Sequence, residues 1–247
     1  MLLQEKTWAE VESYLKTSKG IIMPIGSTEQ HGPNGLLGTD ALCAEVIGRG
    51  VGQATGALVA PTIHVGMAQH HMGFTGTMTL KPSTLINVIG DYVESLAKHG
   101  FTRFFFVNGH GGNIATIKTA FDELYTRLSL SKAGNEDGVR CRLRNWWESA
   151  TMAALSAEMY GDKEGTHATP SEVSVTQYAF PDAIKSCPPL SPAPKPQAFH
   201  DAADFRRRFP DGRIGSDPSL SSPADGKRIF DAAVNDIAKD YKSFAAE

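Results

Sequence analysis

Two hydrophobic patterns alternate along the chain and predict an α/β fold. Short apolar runs bounded by polar loops indicate strands buried on both faces; the predicted strands are 21–26, 58–66, 101–107 and 139–147. Segments with apolar residues at a 3.6-residue spacing predict amphipathic helices; these are 8–15, 40–53, 84–99, 113–130, 148–159, 172–180 and a last helix from 223. Repeated strand–loop–helix order implies right-handed crossovers, so we predict a mainly parallel central sheet with helices on both faces.

Polar residues and prolines mark where these elements begin and end. Thr7 to Glu10 form a capping box for the first helix. We predict that Thr39 or Asp40, Ser83 and Ser171 cap later helices. Pro24 weakens the first strand, because proline has no N–H for a β ladder. A loop at 67–80, a polar turn at 133–138 and a segment with six prolines at 181–196 complete the pattern, with weak periodicity up to about residue 223.

Composition limits the classes of function that fit. A length of 247 residues suits one domain spanning 1–247. The formal net charge of -3 gives no reason to expect nucleic acid or an anionic membrane as a partner, which leaves a small-molecule substrate open. Three widely spaced cysteines suit a reducing compartment. With no signal-peptide pattern and no run near the roughly 18 apolar residues of a membrane span, we expect a soluble, cytoplasmic protein.

Two polar stretches at the ends of predicted strands carry the candidate chemistry. The loop 26–40 and the turn 108–113 both follow apolar runs, where ligands bind in parallel sheets. A mixed set of carboxylates and imidazoles without thiolates suits Zn²⁺, Mn²⁺ or Fe²⁺. Five candidates exceed the needs of one ion and suggest two, with Asp40 as a natural bridge. The candidate ligands are Glu29, His31, Asp40, His110 and Glu172.

Each of these residues also has a simpler interpretation. Asp40 taken alone suits a helix N-cap, and Glu172 suits a first-turn carboxylate favoured by the helix dipole. His31 alone could be a turn residue. Residues 109–112 could form an anion nest, although they lack the dinucleotide-binding fingerprint and a P-loop lysine. It is the combination of all the candidates that favours a metal site.

Three blocks, taken together, resemble the signature of the creatininase (creatinine amidohydrolase) family. They are Gly-Ser-Thr-Glu-Gln-His-Gly-Pro at 26–33 with Leu-Gly-Thr-Asp at 37–40, Asn-Gly-His-Gly-Gly-Asn at 108–113, and His167 followed five residues later by Glu172. The resemblance implies a three-layer α/β/α fold, a two-metal centre held by the five residues above, and a homohexamer. It also implies hydrolysis of a cyclic amide or formamide.

The chain departs from creatininase proper at two positions. Creatininase has an acidic ligand where this chain has Gly112, and a glutamate where it has Thr166. Members with the Gly-Gly form take the corresponding carboxylate from the later block, here Glu172. Both differences argue against creatinine as the substrate, but they leave metal-dependent amide hydrolysis in place.

We therefore predict a metal-dependent amidohydrolase that uses a metal-activated water. His167 is the candidate catalytic proton shuttle. His70, from the pair His70 and His71, and Trp147 are assigned to substrate binding. Three alternatives stay open: a formylamino-pyrimidine deformylase, a cofactor-precursor peptidase, and a metal-binding scaffold without activity.

Overall fold

Four parallel strands form the central sheet of the computed structural model, which describes residues 1–132, 134–136 and 138–247. The strand order is β2-β1-β3-β4, and each neighbouring pair is parallel. The strands are β1 Gly20–Ile25, β2 Leu58–Val59, β3 Arg103–Asn108 and β4 Arg140–Asn145. The predicted parallel sheet is confirmed, while two residues of the predicted turn 133–138 lie outside the described part.

Helices cover both faces of this sheet. Their bounds are α1 Trp8–Tyr14, α2 Thr39–Thr55, α3 Pro82–Ala97, α4 Ile114–Leu130, α5 Ala150–Met159, α6 Pro170–Ala179, α7 Ala202–Arg208 and α8 Pro223–Ala245. The capping box predicted at Thr7 and Glu10 is present at the start of α1. The short helix α7, which Asp201 caps, was not predicted. No described helix is long and apolar enough to cross a membrane.

Alternate residues of the strands enter two separate hydrophobic cores, as expected for a sheet between helix layers. Phe104 and Phe106 of β3 pack with residues of α3 and α4 on one face. Phe105 and Val107 pack with residues of α2 and α8 on the other. A smaller apolar cluster around Phe205 and Phe209 lies outside both cores.

The second strand is much shorter than predicted. The chain leaves the sheet after Val59 and returns only as a single bridge between Ile63 and Ile25. Pro24 lies in β1, and its carbonyl accepts from the Ile63 N–H at 3.0 Å. A residue in a parallel strand directs its N–H and C=O to the same neighbour, so the missing N–H of Pro24 falls where β2 has already ended.

Three predicted helix starts are wrong, and prolines explain two of them. Pro82 and Pro170 occupy the first helical turn, where a fixed φ is favourable, so the caps move upstream to Lys81 and Thr169 instead of Ser83 and Ser171. In α2 the cap is Gly38, and neither Thr39 nor Asp40 caps the helix. The Asp40 carboxylate therefore remains free for another role.

The carboxyl ends of β1 and β3 bring the two polar stretches together. Ile25 and Asn108 are partners in the register of these strands. The loop that follows β1 and the turn that follows β3 therefore begin side by side at one edge of the sheet.

Candidate metal centre

The loop after β1 buries Glu29 and His31. Ser27 Oγ donates to Glu29 Oε2 at 2.8 Å, and the Glu29 side chain is fully buried. His31 Nδ1 lies 3.0 Å from the Glu29 carbonyl oxygen. This contact orients the ring and directs its other nitrogen towards the candidate centre. The backbone turns back on itself here, because the Gly35 N–H donates to the His31 carbonyl at 3.1 Å.

Asp40 lies at the middle of the buried polar cluster. It is in the first turn of α2 and is 3% exposed. One carboxylate oxygen, Oδ1, is 2.9 Å from His31 Nε2, and the other, Oδ2, is 2.9 Å from His110 Nδ1. Although burial opposes ionisation, His31 and His110 hold the pKa of Asp40 well below its usual range.

A buried amide network holds His110 at the end of β3. The His110 N–H donates to Asn108 Oδ1 at 3.1 Å, and Asn108 Nδ2 donates to the His110 carbonyl at 2.7 Å. Asn113 Nδ2 donates to the Gly26 carbonyl at 2.9 Å, which links this turn to the loop after β1. His110 Nε2 lies 2.8 Å from the Met67 carbonyl, so Nδ1 is directed towards Asp40.

Glu172 reaches the cluster from the start of α6. The Thr169 N–H donates to Glu172 Oε1 at 2.6 Å, and the Glu172 N–H donates to Thr169 Oγ1 at 3.2 Å. This capping box leaves Glu172 Oε1 3.9 Å from His31 Nε2. Burial, opposed by His31, raises the pKa of Glu172 to about 7.

The candidate ligands form two groups that share Asp40. In each group of three, one ligand atom per residue lies within 4.8 Å of the others. The groups are Glu29, Asp40 and His110, and His31, Asp40 and Glu172. A further group joins Glu29 and His31 to His167.

The charges and orphaned atoms of the cluster fit a cation. Glu29 Oε1 and Asp40 Oδ2 are buried and accept no hydrogen bond, although imidazole nitrogens lie 3.0 and 2.9 Å away. A buried carboxylate oxygen without a donor is costly unless a positive charge compensates it. Burial favours neutral imidazole, yet Asp40 and Glu172 raise the pKa of His31 to about 10. The donor set therefore favours positive charge at its centre, as divalent ions would supply.

His167 lies beside this cluster. Its Nδ1 is 3.8 Å from Glu29 Oε1, and its Nε2 is 2.9 Å from the Gln30 carbonyl. Burial and the neighbouring His71 lower the pKa of His167 well below its ordinary value. This shift favours the neutral imidazole, in which one ring nitrogen can accept a proton.

The two residues assigned to substrate binding lie in different environments. Trp147 lines a cavity of about 480 Å³, together with Asp40, His110 and His167. His70 is not a lining residue and instead packs against Phe199, with ring centroids 5.0 Å apart. The structure thus brings Trp147 to the cavity but does not bring His70 there.

Sequence reasoning considered His71 only as the neighbour of His70 in a pair that could border the substrate, and it missed Gln30. His71 is 1% exposed, and its Nε2 lies 3.0 Å from Glu29 Oε1. Gln30 Oε1 accepts from the Gly32 N–H, so its Nε2 faces His71 Nδ1 at 2.9 Å and His167 Nε2 at 2.8 Å. The only sequence signals were adjacency to Glu29 for Gln30 and a histidine pair in a loop for His71.

Comparison with known proteins identifies the family. The sequence model of the family described as "Creatininase: Creatinine amidohydrolase" matches residues 4–241. The chain belongs to the creatininase family. It is accordingly a hydrolase of carbon–nitrogen bonds, and the predicted family is confirmed.

Relatives within the creatininase family have different described activities. A "Mycofactocin precursor peptide peptidase" of Mycobacterium ulcerans (strain Agy99) is 31% identical over 234 residues, covering 89% of this chain and 83% of the relative. A "Creatinine amidohydrolase" of Pseudomonas putida is 28% identical over 190 residues, covering 73% and 72%. A solved structure described as "Creatininase Mn" is 26% identical with a TM-score of 0.82, covering 98% of both chains. This likeness confirms the predicted creatininase-like three-layer fold.

Proposed function

We propose that this chain is a metal-dependent amidohydrolase with a two-ion centre bridged by Asp40. The observation that carries the proposal is the pair of ligand groups that meet at this one buried carboxylate. One solved relative is described as "Creatininase Mn", which supports a divalent ion at this centre. The donor atoms suit Zn, Mn or Fe. Glu29 and His110 would complete one site, and His31 and Glu172 the other.

The protein groups around the cluster suit amide hydrolysis. Divalent ions bound there would acidify a water molecule and polarise the amide carbonyl. The neutral His167 ring presents Nδ1 to the cluster side and lines the same cavity as Asp40 and Glu172. With its Nε2–H donating to the Gln30 carbonyl, His167 would accept a proton from the attacking water at Nδ1 and pass it to the leaving nitrogen.

The cavity has room for a short peptide, and two further observations favour such a substrate over creatinine. A volume of about 480 Å³ lies inside the range of about 300–1,000 Å³ typical of pockets for drug-sized ligands. The described activity of the relative with 31% identity points in the same direction. Gly112 in place of an acid also separates this chain from creatininase proper. We therefore propose that the scissile bond is an amide near the end of a short peptide.

Metal analysis and a substrate panel test this function. Purified protein is expected to bind about two divalent ions per chain and to hydrolyse short peptides faster than creatinine or formamides. The Asp40→Asn variant is expected to lose metal, because the side chain shared by both ligand groups loses its negative charge. Its turnover should fall at least about 100-fold. Asp91→Asn, an exposed aspartate on α3, is the matched control and should retain both.

The scaffold alternative and the role of His167 are tested with the same proteins. His167→Ala is expected to retain its ions and lose hydrolysis, whereas unchanged turnover would exclude the shuttle. Full metal occupancy in Asp40→Asn would refute the bridged centre. A metal-loaded wild type that is inactive on the whole panel would favour the non-catalytic scaffold.

A further inference from the structure

The cavity contains another acidic residue, Glu164, which belongs to none of the candidate ligand groups. Ser171 Oγ donates to Glu164 Oε1, which accounts for one carboxylate oxygen. The other oxygen, Oε2, is buried and has no hydrogen-bond partner. Burial also raises the pKa of this carboxyl. An unpaired, buried carboxylate oxygen on this partly buried side chain is costly, and a cation in the cavity would offset that cost.

The described protein residues around the cavity supply no such partner. Neither lysine nor arginine lines the described part of the cavity, and Glu164 forms no ion pair with a described residue. Glu172 lines the same cavity, but its charge would be offset by the proposed ions, which leaves Glu164 as the acid available to a substrate. A substrate carboxylate placed beside Glu164 would be repelled by this acidic side chain.

Two tryptophans contribute to the wall of the cavity. Trp146 and Trp147 both line the cavity, with ring centroids 6.0 Å apart and planes at 87°. The half-buried Trp147 contributes an indole whose π-face attracts cations more strongly than other aromatic side chains do. A cavity lined by both a carboxylate and an indole is a chemical environment suited to an ammonium group.

We propose that Glu164 and Trp147 form a subsite for a protonated amine of the substrate. The enzyme would then prefer amides that carry a free ammonium group, such as a short peptide with an unblocked amino terminus. The inference rests on the proposed function, because it specifies the charge of the substrate that enters the same cavity. Glu164 is a specificity-determining residue here, and the candidate metal ligands keep their separate role.

Paired substrates test this subsite in the metal-loaded enzyme. A dipeptide amide with a free amino group is compared with its N-acetyl form, which differs in charge at that end. We expect the wild type to prefer the charged form at neutral pH. Glu164→Gln should lower kcat/KM for the charged form about tenfold, equivalent to about 1.4 kcal/mol, and change it less than about twofold for the acetylated form.

Asp162→Asn is the matched control for Glu164→Gln. It removes the same charge from the same loop, but Asp162 is 89% exposed and does not line the cavity. This control should leave the preference unchanged. An equal loss on both substrates in Glu164→Gln would show that Glu164 only supports the start of α6, and the proposal would be wrong. If Glu164→Gln does not fold, Glu164→Asp replaces it and should retain a reduced preference for the charged form.

A binding measurement separates this inference from the proposed activity. Calorimetry of the metal-loaded wild type with benzylammonium and with benzyl alcohol compares a cation with a neutral analogue. Tighter binding of benzylammonium, reduced about tenfold in Glu164→Gln, would support the subsite even if no amide in the panel were hydrolysed. Equal binding of the two compounds would overturn it, whatever the enzyme hydrolyses.

Discussion

Gly112 determines how closely His110 can approach the neighbouring loop. A Cβ at this position would overlap His110 Nε2 and lie 2.7 Å from the Met67 carbonyl oxygen. That carbonyl is the one contacted by His110 Nε2 at 2.8 Å. An acidic ligand at position 112 is therefore incompatible with this arrangement of His110. The position of Glu172, close to His31 and Asp40, is consistent with its replacing such an acid.

Alanine substitutions at adjacent glycines test this packing. Gly112→Ala is expected to lower the free energy of unfolding by about 1–3 kcal/mol, because the new methyl group displaces His110 or the loop at Met67. Gly111→Ala is the control, since a Cβ there meets no atom within 4 Å. Chemical denaturation with metal analysis measures both. Equal stability of the two variants would contradict the crowded position of Gly112.

At the scale of single residues, the sequence predicts the candidate ligands that lie close together in one motif. Glu29, His31 and Asp40 share one glycine-rich loop, and such a density of ligand-type residues is visible without a structure. His71 could not be separated from His70, because the short 3-10 helix at Gln69–His71 decides which ring turns inward. The buried role of Gln30 depends on the distant His167, which no local pattern reveals.

The start of α6 connects helix capping to the candidate metal centre. Thr169 and Glu172 form a capping box in which each side chain accepts a hydrogen bond from the other residue's backbone. The same Glu172 oxygen that accepts from Thr169 lies 3.9 Å from His31 Nε2. The local structure of the helix start thus orients a candidate ligand.

Two threonine-to-valine variants separate capping from orientation. Thr169→Val and Thr7→Val each remove the hydroxyl of a capping box and should cost about 1 kcal/mol of stability. Only Thr169→Val should also weaken metal binding, by about 10-fold, because the start of α6 loses the hydroxyl that accepts from the Glu172 backbone N–H, while the Thr169 N–H that donates to the Glu172 carboxylate remains. Thermal unfolding and metal titration measure the two effects. A similar loss of metal affinity in Thr7→Val would show that the effect is one of general stability.

Helices and strands with a strong periodic pattern were predicted well. Elements whose bounds depend on contacts with other parts of the fold were not. The apolar residues of β3 and the regular spacing in α3 and α4 reflect burial that the sequence records directly. The length of β2 depends instead on where this segment stops pairing with β1. Pro24 and Pro61 affect that point but do not determine it alone. The helix α7 has only seven residues and packs within the small cluster around Phe205, so its period is too short to detect.

At the scale of the whole molecule, the candidate ligands join distant parts of the chain. They come from the loop after β1, the start of α2, the turn after β3 and the start of α6, all at one edge of the sheet. Because both large cores share this sheet, we propose that residues 1–247 form one domain. The homohexamer and the cytoplasmic location remain predictions, which size measurements of the purified protein and cell fractionation can test.

Removal of metal should therefore destabilise the whole fold. Ions that bind only the folded chain stabilise it by about 2.7 kcal/mol when their free concentration is about 100 times the dissociation constant. The four ligand-bearing segments are separated in the unfolded chain, so the folded state should hold the ions far more tightly. Wild-type protein treated with a chelator is expected to unfold at lower temperature and to recover when Mn²⁺ or Zn²⁺ is returned. Asp40→Asn should show neither change, because its ions are already lost. An unfolding temperature of the wild type that is independent of chelator and added ion would contradict a centre that links these segments.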